Sequence, residues 1–331
     1  MNSSKINSYQ TQKLLLAVSF ALLVIKLTAY YLTGSVAVLT DALESIVNVI
    51  AAMIGLYSLS LSALPKDANH PYGHGKVEFL SAGIEGSLII LAGLWIIYEC
   101  VHRIFHFTPL QHLDNGMILL GISAVINLAV GQYSVKNGKK NNSLALISSG
   151  THLKTDALTT FGLILGLAMV WVTEWQFLDS LVAIVFALVI IYSGFRIVRS
   201  ALSGIMDEAD EQLINQILQV LKDHRTENWL DIHNLRVVNY AGFFHIDGHI
   251  TVPRYFTVDE AHTELDRITA VLAEHFEERV EFSIHTDGCI PVQCSLCNKQ
   301  SCQVRSEPFI RTLDWNYELV IQNKKHRLPL E

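Results

Sequence analysis

Long apolar runs separated by short polar breaks fill residues 14–198, and this pattern predicts membrane-spanning helices. Each run carries about 20 or more mainly apolar residues, which is the length that a helix needs to cross the hydrocarbon core of a bilayer. Lys26 alone interrupts the first run, and the Pro and Gly residues of the polar link Pro65–Lys76 end the second. Six spans are predicted, over Leu14–Ser35, Val36–Leu64, Phe79–Ile104, Met117–Val135, Leu144–Val172 and Phe177–Val198.

From Glu208 onward the hydrophobic pattern is that of a small soluble fold. Apolar residues recur at helical spacing in two segments and alternate along three others. The predicted order is helix Ile214–Leu221, strands Asn234–Tyr240 and Phe243–Val252 joined by a turn at Ala241 and Gly242, helix Val258–Phe276 and strand Val280–His285. This αββαβ order predicts an α+β domain with its helices on one face of a sheet. We therefore expect three parts: a transmembrane domain at 1–206, an α+β domain at 207–290 and a Cys-containing extension at 291–331.

Composition and charge strengthen this picture. Half of the residues are hydrophobic, 17% are charged, and the mean hydropathy is +0.33, as in a polytopic membrane protein. The net charge of -7 and the absence of a basic stripe argue against nucleic acid as a partner. The cations that flank the spans fall mostly on one side, against Arg103 on the other, so we expect cytoplasmic termini and a cytoplasmic C-terminal domain. We expect the membrane to be a bacterial inner membrane. These cations are Lys5, Lys13, Lys66, Lys76, Lys136, Lys139, Lys140, Arg196 and Arg199.

The fifth span contains His152 and Asp156, four residues apart, within SSGTHLKTDALTTFGL. On a helix these side chains leave the same face, about 40° apart around the axis and roughly 6 Å apart along it. An imidazole and a carboxylate suit a borderline divalent cation such as zinc. Ionisable groups in hydrocarbon are costly, so an ion pathway is the first interpretation; the alternative is that these groups pair with one another to hold helices together.

The second span offers a partner set at positions i, i+3, i+4 and i+7, namely Asp41, Glu44, Ser45 and Asn48. We expect a four-coordinate site formed by Asp41, His152 and Asp156, with Ser45, Asn48 or water in the fourth position. Two carboxylates nearly neutralise a divalent ion and so lower the cost of its passage through the bilayer. Because the ligands must lose their protons to bind, metal and protons should compete for the site, which is a physical basis for antiport.

Two further sets of residues are candidates for metal binding. In the link after the second span, Asp67, His70 and His74 are spaced so that a carboxylate and two imidazoles can meet, although solvated loop residues show the same pattern. In the C-terminal part, the histidines and the carboxylate lie at the ends of strands or on the helix, where each by itself is more often a surface residue than a ligand. This third set is His233, His249, His262, His285 and Asp287.

Four cysteines crowd into one short region: Cys289, Cys294, Cys297 and Cys302. Their clustering fits metal chemistry or a reduced cytoplasmic thiol set better than a secreted disulfide framework. The gaps, with one CxxC pair, match no strong zinc-finger spacing. Metal binding, a regulatory or redox role, and incidental thiols stay open as interpretations.

The run TGSVAVLTDALESIVNV, the loop DANHPYGHGK followed by Glu78, the segment THLKTDALTT and the αββαβ tail together resemble the cation diffusion facilitator family, over about residues 10–290. The resemblance implies homodimers in the lipid bilayer that export zinc or other divalent metals from the cytoplasm in exchange for protons. It also implies a cytoplasmic domain similar to copper chaperones. By position, Asp41, His152 and Asp156 match the family's transport ligands, and the loop and tail sets match its other metal sites.

The chain departs from the family at Ser45, where many members have a second carboxylate. The metal therefore stays open: zinc comes first, with iron, manganese, cobalt, nickel and cadmium as alternatives, and Glu44 or Asn48 as compensating ligands. We expect a proton-coupled exporter that works by alternating access. The alternative function is a membrane-embedded metal sensor or scaffold. The chain has no HExxH motif and no paired nucleophile and base, so we do not expect an enzyme.

Overall fold

The computed structural model describes residues 3–105, 112–141, 144–175, 177–240, 243–276 and 280–328. The predicted turn at Ala241 and Gly242 lies outside these residues. The chain forms two compact units, Met1–Met206 and Asp207–Glu331, and each is described by itself.

All secondary-structure elements that the structure describes in the first unit are helices. Its helices are α1 (Ser3–Thr33), α2 (Val36–Ser62), α3 (Val77–Phe105), α4 (Leu113–Asn141), α5 (Leu144–Thr173) and α6 (Phe177–Ile205). Within the described residues, six helices are long and apolar enough to cross a membrane, which confirms the predicted membrane fold. The helices extend past the apolar runs: α1 begins at Ser3, and α4 continues beyond the predicted end at Val135 through Lys136, Lys139 and Lys140. Hydropathy marks the part of a helix inside the bilayer, whereas the backbone hydrogen bonds of a helix continue into water.

Glycines allow the helices to approach one another closely. A Cβ atom on Gly150 of α5 would lie 2.8 Å from the carbonyl oxygen of Gly131 on α4, and Gly86 of α3 meets Gly194 of α6 in the same way. Small residues at such crossings are a common device of membrane helices, because lipid supplies no hydrophobic force to drive the helices together. Gly150 lies two residues before His152, so the close approach of α4 and α5 at Gly131 and Gly150 constrains the backbone that carries the His152 side chain.

The start of α2 is held by a buried carboxylate from α6. Asp179 accepts hydrogen bonds from the Ser35 hydroxyl at 2.5 Å and from the Val36 N–H at 2.8 Å. Ser35 is also the N-cap of α2, since its hydroxyl oxygen accepts from the Val38 N–H at 3.1 Å. The carboxylate lies where the helix dipole favours negative charge. These contacts set the axial position of α2 and therefore of its acidic residues.

The second unit contains α7 (Glu211–Asp223), β1 (Asp231–Tyr240), β2 (Phe243–Val252), α8 (Val258–His275) and β3 (Val280–Gly288). This order confirms the predicted αββαβ fold. The strands are arranged β1-β2-β3, with β2 antiparallel to β1 and parallel to β3. Apolar side chains from both helices and one face of the sheet form the core, including Ile214, Ile217, Leu221, Ile232, Ile246, Ile250, Ile268 and Leu272. Strand alternation therefore turns His233 and His249 toward the opposite face.

The segment after β3 packs against this same core. Residues 307–331 are polar overall, but Leu313, Trp315 and Val320 are buried within the core cluster. The Arg225 guanidinium lies 3.8 Å from the centre of the Trp315 ring, and a short helix, α9 (Tyr317–Val320), follows. A few well-spaced apolar residues thus anchor a segment whose composition gives it no core of its own.

Candidate metal centres

Ligand atoms of Glu44, His152 and Asp156 all lie within 4.8 Å of one another between α2 and α5. Asn48 joins them: its amide nitrogen donates to Asp156 Oδ2 at 2.6 Å, and its amide oxygen lies 2.8 Å from His152 Nε2. Asp156 is fully buried, and its Oδ1 atom has no hydrogen-bond partner among the described residues. Two carboxylates, one imidazole and an amide oxygen form a donor set that suits a divalent cation.

A cavity reaches this group from the side of α1 and α3. Asn48 and His152 line it together with Gln12, Ser19 and Glu85, so its wall is partly polar although it lies among membrane helices. Polar groups placed inside a membrane protein commonly mark an ion pathway. The cavity leads to the imidazole, which is the least buried of the three clustered ligands.

Two of the predicted ligands, Asp41 and Ser45, lie outside this group. Asp41 Oδ1 accepts hydrogen bonds from the Lys26 ammonium group at 2.9 Å and from the Thr160 hydroxyl at 2.8 Å. Ser45 donates its hydroxyl proton to the Asp41 backbone carbonyl at 3.1 Å.

The antiparallel arrangement of α2 and α5 explains why Asp41 lies outside this ligand group. Asn48 contacts His152 and Asp156, while Asp41 contacts Thr160, one turn further along α5. Glu44 occupies the intermediate position and therefore faces the ligands that the sequence pattern assigned to Asp41.

The loop set comes together as the spacing predicts. The Asp67 carboxylate lies 3.1 Å from His70 Nδ1 and 3.4 Å from His74 Nε2, and the two imidazole rings are 4.3 Å apart between centroids. Asp67 also accepts hydrogen bonds from the backbone N–H groups of His70 and Asn69. These bonds, that of His70 first, hold the pKa of the Asp67 carboxyl below its ordinary value. The carboxylate is therefore charged and ready to bind a cation.

A third cluster forms on the face of the sheet opposite α7 and α8. His233 and His249 are register partners in β1 and β2, and His249 and His285 are register partners in β2 and β3. Asp287 Oδ2 lies 3.2 Å from His233 Nε2 and 3.1 Å from His249 Nδ1, and these three residues meet within 4.8 Å. Cross-strand neighbours on one face share a site because their side chains project in the same direction.

The surroundings of His233 and Asp287 favour the protonation states that metal binding requires. Desolvation lowers the pKa of the His233 ring, and the nearby Asp231 and Asp287 carboxylates only partly offset it. Burial would raise the pKa of Asp287, but hydrogen bonds from His249 and Lys325 outweigh it and lower that pKa. At neutral pH the His233 imidazole is thus neutral and Asp287 is charged, as metal binding requires.

The remaining predicted tail residues are more exposed. His285 Nε2 lies 3.9 Å from Asp287 Oδ1 with a side chain that is 67% exposed, and His262 lies 3.7 Å from Asp266 on α8. His262 lines a cavity together with Asp287, but neither His262 nor His285 belongs to a group of described residues whose ligand atoms meet within 4.8 Å. Their assignment as ligands stays a prediction.

Replacing His249 by Ala should lower the metal content of the purified full-length protein by about one zinc ion per chain, because His249 contacts Asp287 and lies beside His233. Elemental analysis after equilibration with zinc measures this loss. His275→Ala, which removes an exposed histidine at the end of α8, is the matched control. An equal metal content in His249→Ala and the unmodified protein would remove this cluster from the site assignment.

The chain matches known proteins over most of its length. A family model described as the cation efflux transmembrane domain matches residues 13–206, and one described as the cytoplasmic domain of cation efflux proteins matches residues 209–289. The chain belongs to the cation diffusion facilitator family. The resemblance inferred from the motifs is therefore confirmed, and residues 209–289 of the second unit match the family's cytoplasmic domain. Members of this family transport divalent metal cations across membranes, so the chain is an integral membrane transporter for divalent metals.

Several relatives from bacteria illustrate this family membership. The chain is 34% identical over 254 residues, 76% of its length and 81% of the relative's, to a Synechocystis protein named uncharacterized transporter sll1263. It is 26% identical to the cadmium, cobalt and zinc/H(+)-K(+) antiporter of Bacillus subtilis, over 83% of this chain and 90% of that one. It is 25% identical to the cation-efflux pump FieF of Escherichia fergusonii, over 82% and 90%.

The sequence pattern placed Glu44 and Asn48 in the partner set on the second span, but it named Asp41 as the carboxylate ligand, kept Glu44 as a compensating ligand and did not pair Lys26 with any residue. A signal for the pairing exists: a lysine in the middle of an apolar run requires an internal counter-charge, and the next span begins with Asp41 as its first acidic residue. For Glu44, the signal is its i+4 spacing to Asn48, which matches the spacing of His152 and Asp156.

Proposed function

We propose that this transporter exports zinc from the cytoplasm in exchange for protons, and that Glu44, Asn48, His152 and Asp156 hold the ion during transport. The observation that carries the proposal is the convergence of Glu44, His152 and Asp156 within 4.8 Å between two membrane-spanning helices. Two oxygen donors and an imidazole nitrogen form a donor set common for zinc. An amide oxygen or water completes four-coordination.

The charges around the site balance a divalent ion. Lys26 contributes +1, and Asp41, Glu44 and Asp156 contribute -3, so these four groups sum to -2 before metal binding and to zero after it; Glu85, on the cavity wall, is outside this sum. A neutral loaded state matters because an unbalanced charge in a membrane interior is costly. On this proposal Lys26 neutralises Asp41, while Glu44 and Asp156 meet the charge of the metal.

Competition between metal and protons supports the antiport part of the proposal. The imidazole must be neutral and the carboxylates ionised to bind a cation, so protons that reach the site displace the metal. Arrival of protons from the outer side would then drive release outward, and alternating access would return the site to the cytoplasm. The partly polar cavity at His152 offers a route for either ion.

We further propose a homodimer in a bacterial inner membrane with both termini in the cytoplasm. The name of the matched cytoplasmic domain model, which marks it as a dimerisation domain, supports the dimer. The one-sided distribution of lysines and arginines supports the orientation. Clustered ligands inside the membrane helices favour transport over a sensor or scaffold, for which the cytoplasmic cluster would suffice.

Flux through the purified protein in sealed vesicles tests the proposal. With a pH gradient imposed across the vesicle membrane, we expect protons to move toward the alkaline side and zinc to move toward the acidic side. The direction of zinc flux should reverse when the gradient is reversed. The same vesicles should be tested with cadmium, cobalt, iron(II), manganese and nickel to rank the metals. Zinc flux without any change in the internal pH would contradict antiport, and a metal transported faster than zinc would replace zinc as the substrate.

A further inference from the structure

Four cysteines that none of the three metal clusters uses line a single cavity in the second unit. Cys289, Cys294, Cys297 and Cys302 all contribute to its wall, and all are free thiols. Cys294 and Cys297 are 9% and 7% exposed, so they are buried within the domain. These residues follow the end of β3 at Gly288. Of the four cysteines, only Cys289 lies within residues 209–289, which match the cytoplasmic domain model.

The backbone around the cysteines is folded into a tight turn. The 3₁₀ helix Pro291–Leu296 contains Cys294, and the Cys297 N–H donates to the Cys294 carbonyl at 3.3 Å. Arg305 braces this turn, since its guanidinium donates to the carbonyls of Cys294 at 3.0 Å and Cys297 at 2.9 Å. A CxxC turn of this kind brings two thiols to one side of the chain, as in zinc sites with Cys-x-x-Cys spacing.

From this arrangement we propose that Cys289, Cys294, Cys297 and Cys302 bind one zinc ion as a structural site, separate from the ions that the protein transports. Four thiolates satisfy the tetrahedral preference of zinc and leave no open position for substrate or water. Each thiol gives its proton to solvent on binding. No three of these described cysteines have sulfur atoms that all lie within 4.8 Å of one another. Binding therefore requires the four sulfur atoms to move toward the ion, to Zn–S distances of about 2.3 Å.

The electrostatics of the cavity suit this ligand set. Zinc with four thiolates carries a formal charge of -2, and Arg254 and Arg305 both line the cavity. Two guanidinium groups therefore balance the charge of the loaded site, which is otherwise costly to bury. The rest of the wall is apolar, from Leu230, Ile290, Pro291 and Val304. Cys294 and Cys297 are buried there, and Cys289 and Cys302 are half-buried.

The site would join the end of the sheet to the C-terminal extension. The Cys289 N–H donates to the Val252 carbonyl at the end of β2, so this ligand is attached directly to the sheet. Cys302 lies at the other end of the same segment, and the chain that follows it returns to the core at Leu313 and Trp315. One ion at this point would replace a covalent cross-link between the two parts in a reducing cytoplasm.

Cobalt substitution in the full-length protein, purified in detergent, tests the proposal. Cobalt bound by thiolates gives intense sulfur-to-metal charge-transfer absorption, whereas cobalt bound only by histidine and carboxylate does not. We expect this absorption in the unmodified protein and its loss in the variant with Cys294→Ser and Cys297→Ser. X-ray absorption at the zinc edge should show sulfur neighbours at about 2.3 Å in the zinc-loaded protein and should lose them in the double variant.

Cys100→Ser is the matched control, because it removes a buried thiol in α3, outside the cytoplasmic domain. Its charge-transfer absorption should equal that of the unmodified protein. Retained zinc transport by the Cys294→Ser and Cys297→Ser variant would show that it folds and that the transport site is separate. Absence of thiolate absorption from the cobalt-loaded unmodified protein would overturn the proposal, as would disulfides among these cysteines in protein isolated without oxidant.

Discussion

Replacing Asp156 by Asn is expected to lower metal flux in sealed vesicles by about 100-fold or more, since even a residue outside the ligand shell typically contributes 10–100-fold to a metal site. Asp156 is fully buried, contacts Asn48 and lies 3.6 Å from His152 Nε2. The amide keeps the shape of the side chain but removes the charge that a divalent cation requires. Initial rates of zinc-driven proton movement, at equal protein content, measure the loss.

Asp114→Asn provides the matched control, because Asp114 is an exposed acidic residue in the first turn of α4. Its flux should equal that of the unmodified transporter. Glu44→Gln should resemble Asp156→Asn, since Glu44 belongs to the same cluster. Normal flux in Asp156→Asn would exclude this cluster as the transport site, even if the cytoplasmic sites continued to bind metal.

Replacing Lys26 by Met is expected to destabilise the membrane unit by about 3–5 kcal/mol, the usual cost of leaving one partner of a buried ion pair without the other. Lys26 is 0% exposed and Asp41 is 2% exposed, with 2.9 Å between Nζ and Oδ1. Combining Lys26→Met with Asp41→Asn removes both charges and should restore most of the lost stability. Thermal unfolding of the detergent-purified variants measures both effects.

Lys13→Met is the control for this pair, because Lys13 is an exposed lysine on the same helix. It should leave the unfolding temperature almost unchanged. If the double variant were less stable than Lys26→Met alone, the ion pair would not be what holds Asp41 in place. Flux through a stable double variant separates the two roles of Asp41: retained transport would show that Asp41 is not an obligatory ligand.

The membrane architecture could be predicted because the bilayer imposes one simple requirement, a long apolar run for every span. The soluble fold could be predicted because the periodicity changes from helical to alternating at each element. The packing of the C-terminal extension could not be predicted from composition, because Leu313 and Trp315 are too few to form a core by themselves. They are buried against a core that other elements build.

The sequence by itself determined which residues share a face within one element. His152 and Asp156 had to lie on one side of α5, and Asp67, His70 and His74 had to be near one another, because local backbone geometry fixes such short spacings.

The tertiary structure decided which faces of different helices meet. The Gly131–Gly150 crossing positions α5, and Asp179 positions the start of α2. In the resulting arrangement Glu44 lies beside His152, and Asp41 lies beside Lys26. The physical reason is that rotation and axial shift between helices depend on contacts between residues far apart in the chain, which no local pattern specifies.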